Sequence, residues 1–143
     1  MSDDKRISPE EAHAKIREGY AYVDVRTEEE FEQGHPEGAV NVPIFFAGPG
    51  GMTPNVDFVK VMVASFPLDA MIVVGCKAGG RSLKARDALV RQGYTDVFDQ
   101  RAGWDGARDA FGQITEPGWS RAGLPVENGA PAGRSYAALK GKL

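Results

Sequence analysis

Along the chain, apolar residues recur at helical spacing in some stretches and as short unbroken runs in others, with glycine or proline between them. Ser8-Pro9-Glu10-Glu11 places a capping serine, a proline at the first helical position and a glutamate at the third. It predicts a helix to about Glu18, stopped by Gly19. Residues 20–25 are β-branched or aromatic for the most part and read as a strand. Thr27 and Glu30 repeat the capping box and open a short helix that ends at Gly34. Residues 39–42 form a second brief strand, closed by Pro43. Residues 44–55 are rich in glycine and proline, with Phe45 and Phe46 at their start, and are expected as a long loop of the functional kind. Residues 56–66 carry Phe58, Val59, Met62 and Val63 at helical spacing. Residues 71–74 are a continuous apolar run, the mark of a strand buried on both faces. A helix follows over 82–92 and stops at Gly93. Val97 and Phe98 lie in another strand, 104–111 is expected as a helix, and 118–124 as a helical turn. Strands alternating with helices predict an α/β domain, a mostly parallel sheet with helices on both faces. The last stretch, 129–143, is rich in Gly, Ala and Pro and then basic, and is expected as a mobile tail.

The 143 residues suffice for one domain with one core. A net charge of -3 argues against a general nucleic-acid binder, which usually presents a basic domain. No apolar run approaches the roughly 20 residues that span a bilayer. The polar start, Met1 to Arg6, lacks the apolar stretch of a signal peptide, so a cytoplasmic location is expected of the chain as given. One cysteine excludes an internal disulfide and a cysteine-rich zinc site. Two histidines, His13 and His35, are too few for a histidine-based metal cluster. Any chemistry therefore centres on a lone thiol.

That thiol, Cys76, stands where the buried strand gives way to a glycine-rich loop, Cys76-Lys77-Ala78-Gly79-Gly80-Arg81-Ser82, and then to a helix. In open α/β sheets, sites form at the carboxyl ends of strands. Free N–H groups at a helix start attract anions, and glycines let a loop curl so that successive amides converge. A thiolate is the nucleophilic form of cysteine, and nearby cations and helix N-termini favour it. The loop holds Lys77 and Arg81 and no acidic residue, so a reactive thiolate is expected. Away from such a setting a lone cysteine is most often a small buried hydrophobe. Arg81, with its planar fork, is expected to act with Cys76 as an anion clamp. Ser82 is expected to cap the following helix.

The loop resembles the active-site loop of the rhodanese family, Cys-x-x-Gly-x-Arg-Ser. Asp24-Val25-Arg26 followed by Glu30-Phe31 is similar to the family's upstream motif. So is Gly34-His35-Pro36-Glu37-Gly38-Ala39-Val40-Asn41-Val42-Pro43 to its Gly-His-x-x-Gly-Ala-x-Asn-x-Pro. Ala102-Gly103-Trp104 resembles its Gly-Gly-aromatic turn, and Ala122-Gly123-Leu124-Pro125-Val126 its usual end. Residues 47–55 are similar to those of the single-domain plant and bacterial members. The resemblance covers 8–127. It implies a domain over 8–128, between an extension (1–7) and the tail (129–143), with a five-stranded mainly parallel sheet between helices. It also implies double displacement: Cys76 takes sulfane sulfur from thiosulfate or a related persulfide donor, becomes a persulfide, and passes the sulfur to cyanide or a thiol. No metal or organic cofactor is implied. With no second cysteine, the acceptor comes from outside: glutathione, thioredoxin or a partner protein. Residues 77–82 would bind the donor, while Asp24 and Arg26 would brace loops. Departures from the family pattern are Pro36 and the run Gln100-Arg101-Ala102-Gly103, which stands where Gly-Gly is usual.

Among other residues, Arg26 and Glu30 are expected to pair across a helix start, and His35 to stabilise a turn. Phe45, Phe46 and Met52 are candidates for a lid, and the same aromatic loop offers a surface for a homodimer. Trp104 and Trp119 are expected to pack. Two rival functions compete with sulfur transfer. Phosphatase or arsenate reductase chemistry uses a related loop, but with five residues between Cys and Arg; four intervene here, a tighter cradle suited to one sulfur atom. The other rival is a binding or redox-sensing module of the same fold without turnover.

Overall fold

Both expected capping boxes form. The computed structural model describes residues 5–143. In it the Ser8 hydroxyl accepts from the Glu11 amide while the Glu11 carboxylate accepts from the Ser8 amide, and α1 runs Pro9–Arg17. Thr27 and Glu30 repeat the exchange ahead of α2, Glu28–Gln33. Before α1 lies β1, Arg6–Ile7, and between the helices β2, Ala21–Asp24. After α2 come two short strands, β3 (His35–Pro36) and β4 (Val40–Asn41), then a hairpin of β5 (Phe45–Gly48) and β6 (Gly51–Pro54). Next are α3 (Phe58–Ser65), β7 (Ile72–Gly75), α4 (Gly80–Gln92) and β8 (Val97–Gln100). A second hairpin, β9 (Gly106–Arg108) with β10 (Ile114–Pro117), leads to a 3₁₀ turn over Trp119–Arg121. The chain closes with β11 (Val126–Glu127) and α5 (Tyr136–Lys140).

Five strands form one sheet in the order β1-β8-β7-β2-β4, every neighbouring pair parallel. Successive side chains of a strand leave on opposite faces, and the core divides accordingly. Val23, Ile72 and Val74 pack with Met62 of α3, Leu89 of α4 and Leu139 of α5 on one face. Tyr22 and Val73 pack with Ala12 of α1, Phe31 of α2 and Trp119 on the other. The expected α/β sandwich of a five-stranded parallel sheet between helices is therefore present.

Four local expectations differ. Residues 44–55 are a paired hairpin rather than an open loop, with all four ladder pairs in register and Gly51 at φ +102° completing the turn. Residues 104–111 do not form a helix. Gly106 (φ +128°) and Gly112 (φ +79°) take left-handed backbone, and the Asp109 side chain accepts from the Phe111 and Gln113 amides. Such local bonds compete with a helix ladder. Arg101 ties this hairpin down through paired bonds to Glu116, both at 2.9 Å. Of the expected N-terminal extension, residues 1–4 lie outside the described residues, but Arg6 and Ile7 belong to the sheet edge, opposite Asp99 and Gln100. The expected mobile tail also carries part of the core. Ser135 caps α5, whose Tyr136 and Leu139 are buried, and the Tyr136 hydroxyl accepts from Asn55 Nδ2 at 3.0 Å.

Candidate functional site

Strand β7 ends at Gly75, and the need for glycine there is steric. A side chain at Gly75 would collide with the Tyr22 hydroxyl beneath it. The chain then turns through Cys76, and α4 begins at Gly80. Gly79, the residue before the helix, holds φ +97° and faces the Arg101 carbonyl so closely that a Cβ would strike it. Only glycine meets both demands without strain. In this conformation the Gly79 amide donates to Cys76 Sγ at 3.1 Å. The thiol in turn donates to Ser82 Oγ at 3.4 Å, and the Ser82 hydroxyl has Gly79 O at 3.4 Å as an acceptor. Cys76 is 2% exposed, yet its sulfur faces the amide and hydroxyl of the loop rather than only apolar carbon.

The loop is held from behind by the turn after β8. Trp104 N–H donates to the Cys76 carbonyl at 2.7 Å and Asp105 N–H to the Lys77 carbonyl at 2.9 Å. Those two bonds hold the Cys76 and Lys77 carbonyls on the side of the 103–105 turn. Gly103 (φ +68°) lies against the Cys76 and Lys77 carbonyls, leaving no room for a side chain. Gln100, fully buried, fixes the turn: Oε1 accepts from the Ala102 and Gly103 amides at 2.9 and 2.8 Å, and Nε2 donates to Gly103 O at 2.9 Å. The departure noted at residues 100–103 is thus self-consistent. Glycine is kept at 103, where close approach demands it, and a glutamine side chain bonds the rest.

The charged residues pair differently from expectation. Arg26 does not meet Glu30; it is buried against Asp24, with Nη2 2.7 Å from Oδ2 and Nε 3.0 Å from Oδ1, and it also donates to Gly34 O. Asp24 and Arg26 thereby join the ends of β2 and α2. Glu30 instead takes Arg81, Nη1 to Oε1 at 2.7 Å and Nη2 to Oε2 at 3.1 Å. The Arg81 fork is filled by a carboxylate, so it anchors the loop to α2 rather than standing open as an anion clamp. Ser82 is not the helix cap either. It is the third residue of α4, and its hydroxyl belongs to the sulfur's surroundings. Of the loop's remaining members, Lys77, Ala78 and Gly80 are exposed. Lys77 Nζ lies 3.8 Å from Asp105 Oδ2.

Burial by itself would raise the Glu30 pKa, but hydrogen bonds from Arg81 and the Thr27 amide outweigh it and hold the carboxyl at about 2, against an ordinary 4.5. A depressed folded-state pKa adds stability that is complete above the unfolded value and lost as pH falls through the folded one. The Glu30–Arg81 tie should therefore weaken between about pH 4.5 and 2. In an acid titration of unfolding free energy, Glu30→Gln should be less stable than wild type at neutral pH, and the gap should close over that window. A gap independent of pH would contradict the pairing.

Beside the loop opens a cavity of about 350 Å³ lined by Arg26, Glu30, Gln33, Lys77, Trp104 and Asp105. Its walls carry both signs of charge, and the Trp104 ring sits under Arg26 at 5.0 Å. His35 lies elsewhere. It stacks on Phe31 (3.7 Å between centroids), and its ring nitrogens face Phe31 O and Glu127 Oε1 at 2.6 and 3.1 Å. Phe46 packs against the core, Phe45 lies beneath Lys84, and Met52 is half exposed on the hairpin. Trp119 is buried and its indole N–H donates to Pro125 O at 2.8 Å. The residues packed behind the loop that sequence reading passed over are Tyr22, beneath Gly75, and Gln100, bonded to the 102–103 turn. Two polar residues closing the strand over 97–100 were the available signal.

Comparison with known proteins agrees with this geometry. Residues 8–110 match the family model described as a Rhodanese-like domain. The chain is 37% identical over 131 residues to thiosulfate sulfurtransferase 16, chloroplastic, of Arabidopsis thaliana, covering 89% of this chain and 99% of that protein. It is 34% identical over 105 residues to thiosulfate sulfurtransferase GlpE of Pseudomonas fluorescens, covering 73% and 85% respectively. Among solved structures, Rv0390 from M. tuberculosis superposes with a TM-score of 0.71 at 28% identity, over 87% of this chain and 97% of that one. With a family match over most of its length and a parallel sheet ending in the Cys76 loop, this chain belongs to the rhodanese-like domain family.

Proposed function

We propose that the protein is a sulfurtransferase in which Cys76 carries sulfane sulfur as a persulfide. Membership of the family, and relatives named thiosulfate sulfurtransferase, support transfer of sulfur in general. The observation that carries the finer reading is the 3.1 Å bond from the Gly79 amide to Cys76 Sγ at the start of α4. An amide at a helix start favours negative charge on the atom it meets. The thiolate attacks the sulfane sulfur of thiosulfate, the bond to the sulfonate sulfur breaks, and sulfite leaves with the electron pair. An acceptor thiolate, or cyanide, then attacks the terminal sulfur of the persulfide and restores the Cys76 thiolate. The Gly79 amide meets the sulfur, Ser82 adds a hydroxyl, and Arg81 holds the loop through Glu30. Asp24 and Arg26 support the wall of the neighbouring cavity. Glutathione, thioredoxin or another thiol protein serves as acceptor, and the cytoplasm as location.

The contrary reading is a docking or redox-sensing module without turnover, and the 2% exposure of Cys76 is the observation in its favour. Turnover decides between them. Wild type should transfer sulfur from thiosulfate to cyanide or glutathione in a steady-state assay. Inactivity with several donors and acceptors would favour the module.

A further inference from the structure

One residue that holds the Cys76 loop comes from before the matched domain. The family match begins at residue 8, yet Arg6 reaches the loop from β1. Strand pairing puts it there. Arg6 lies opposite Asp99 of β8, the Asp99 amide donates to Lys5 O at 2.7 Å, and the Arg101 amide donates to Ile7 O at 2.9 Å. The Arg6 guanidinium then bonds two groups: Nε donates to Asp99 Oδ2 at 2.6 Å, and Nη2 to the Gly79 carbonyl at 3.2 Å. Gly79 is buried, and its carbonyl also has the Ser82 hydroxyl at 3.4 Å. At the other helix starts, Ser8, Thr27, Asp57 and Ser135 give this carbonyl to the amide four residues on, at 2.9 to 3.1 Å. At Gly79 it is Arg6 and Ser82 that come within hydrogen-bond distance. Ser82 has a single hydroxyl proton and two acceptors for it, Gly79 O and Cys76 Sγ, each 3.4 Å away. While the sulfur is a thiol it donates to Ser82 Oγ, and the hydroxyl serves the carbonyl. A sulfur anion can only accept, so it needs that hydroxyl for itself.

We propose that Arg6 is a positioning residue: by holding the Gly79 carbonyl, it frees the Ser82 hydroxyl to turn to the Cys76 thiolate. The thiol proton is lost to water, the electron pair stays on sulfur, and Ser82 keeps its own proton while rotating about Cβ–Oγ. The thiolate then accepts from both the Gly79 amide and the Ser82 hydroxyl, and the carbonyl that Ser82 has left still accepts from Arg6 Nη2. Without that bond the same turn would leave a buried carbonyl short of a donor, which is costly, and the thiol form would be favoured. Asp99 aims the guanidinium by holding Nε. The other charged and titratable groups around the loop are occupied elsewhere. Arg81 pairs with Glu30 of α2, Lys77 lies 3.8 Å from Asp105, and Arg26 pairs with Asp24 of β2. The Tyr22 hydroxyl accepts from Gln100, and Arg86 of α4 donates to Val97 O. The inference rests on Cys76 reacting as a thiolate, and its test is independent of sulfur transfer.

The test is the rate of Cys76 alkylation by iodoacetamide as a function of pH, with thermal melting as the check on folding. Arg6→Lys keeps a positive charge for Asp99 but puts a single ammonium in place of the fork that spans Asp99 and the Gly79 carbonyl. The midpoint of its profile should rise by about one pH unit, which makes alkylation about tenfold slower on the acid side. The same shift is expected of Arg6→Met combined with Asp99→Asn, which removes the donor and both charges of the pair, and this variant decides if Arg6→Lys does not fold. In Ser82→Ala there is no hydroxyl to turn, so adding Arg6→Lys should leave the Ser82→Ala profile where it is. A role in loop stability alone would move the profile in both backgrounds. An unmoved midpoint in the folded variants, or an equal shift with and without Ser82, would overturn the proposal. The expected shift in a protein without turnover would sink the enzymatic reading and leave the role of Arg6 standing, and turnover with an unmoved midpoint would do the reverse.

Discussion

Gly79→Ala should cut sulfur transfer by about a hundredfold or more, the cost of losing one preorganised donor at a reacting centre. Gly80→Ala, one residue on, should leave melting and turnover near wild type. The contrast follows from backbone geometry. Gly79 holds φ +97° with the Arg101 carbonyl against the place a Cβ would occupy, whereas a Cβ at Gly80 meets nothing within 4 Å. The left-handed conformation alone costs an L-residue about 1–2 kcal/mol. The clash with a backbone carbonyl adds to that and cannot be relieved by a rotamer change. The chain at 79 must shift, and the amide on Cys76 Sγ shifts with it. Paired assays of turnover and thermal melting on the two variants check this. Equal effects at the two positions would mean that the loop amide is not what prepares the sulfur.

Cys76→Ser should lower turnover on the order of a thousandfold or more, as removal of a nucleophile does, while the fold persists. The hydroxyl is smaller than the thiol and can still accept from the Gly79 amide, so neither a clash nor an orphaned donor arises. A serine oxygen has no thiolate counterpart near neutral pH and forms no persulfide. Loss of turnover together with an intact melting transition is the combination that assigns the chemistry to this atom. Turnover that survived the substitution would move it to another residue.

The parts of the fold legible in the sequence are those in which local chemistry and tertiary packing agree. Ser8 and Thr27 signalled helix starts through side chains that bond neighbouring amides, and Met71-Ile72-Val73-Val74 signalled a strand through burial on both faces. Residues 104–111 misled because their composition permits a helix, and the decisive facts are two left-handed glycines and one aspartate bonding its own backbone. The segment 135–140 was hidden because one helical turn carries too few residues for a period to show. Its stability comes from Tyr136 and Leu139 entering the core and from the Arg134–Glu127 pair beside it. Charge partners were the least legible element. Arg26 and Glu30 are four apart and suggested a pair, yet the sheet brings Arg81 to Glu30 from 51 positions away and leaves Arg26 to Asp24. The Cys76 loop itself was readable because its glycines, cations and position after a strand are all local. What braces it, Gln100 from the next strand, is not.

Intact mass after incubation with thiosulfate tests most directly whether residue 76 carries sulfur. Wild type should gain the mass of one sulfur atom and lose it on treatment with a reducing thiol, and Cys76→Ser should gain none. An unchanged wild-type mass with thiosulfate and other sulfane donors, or an equal gain in both proteins, would contradict a persulfide at Cys76.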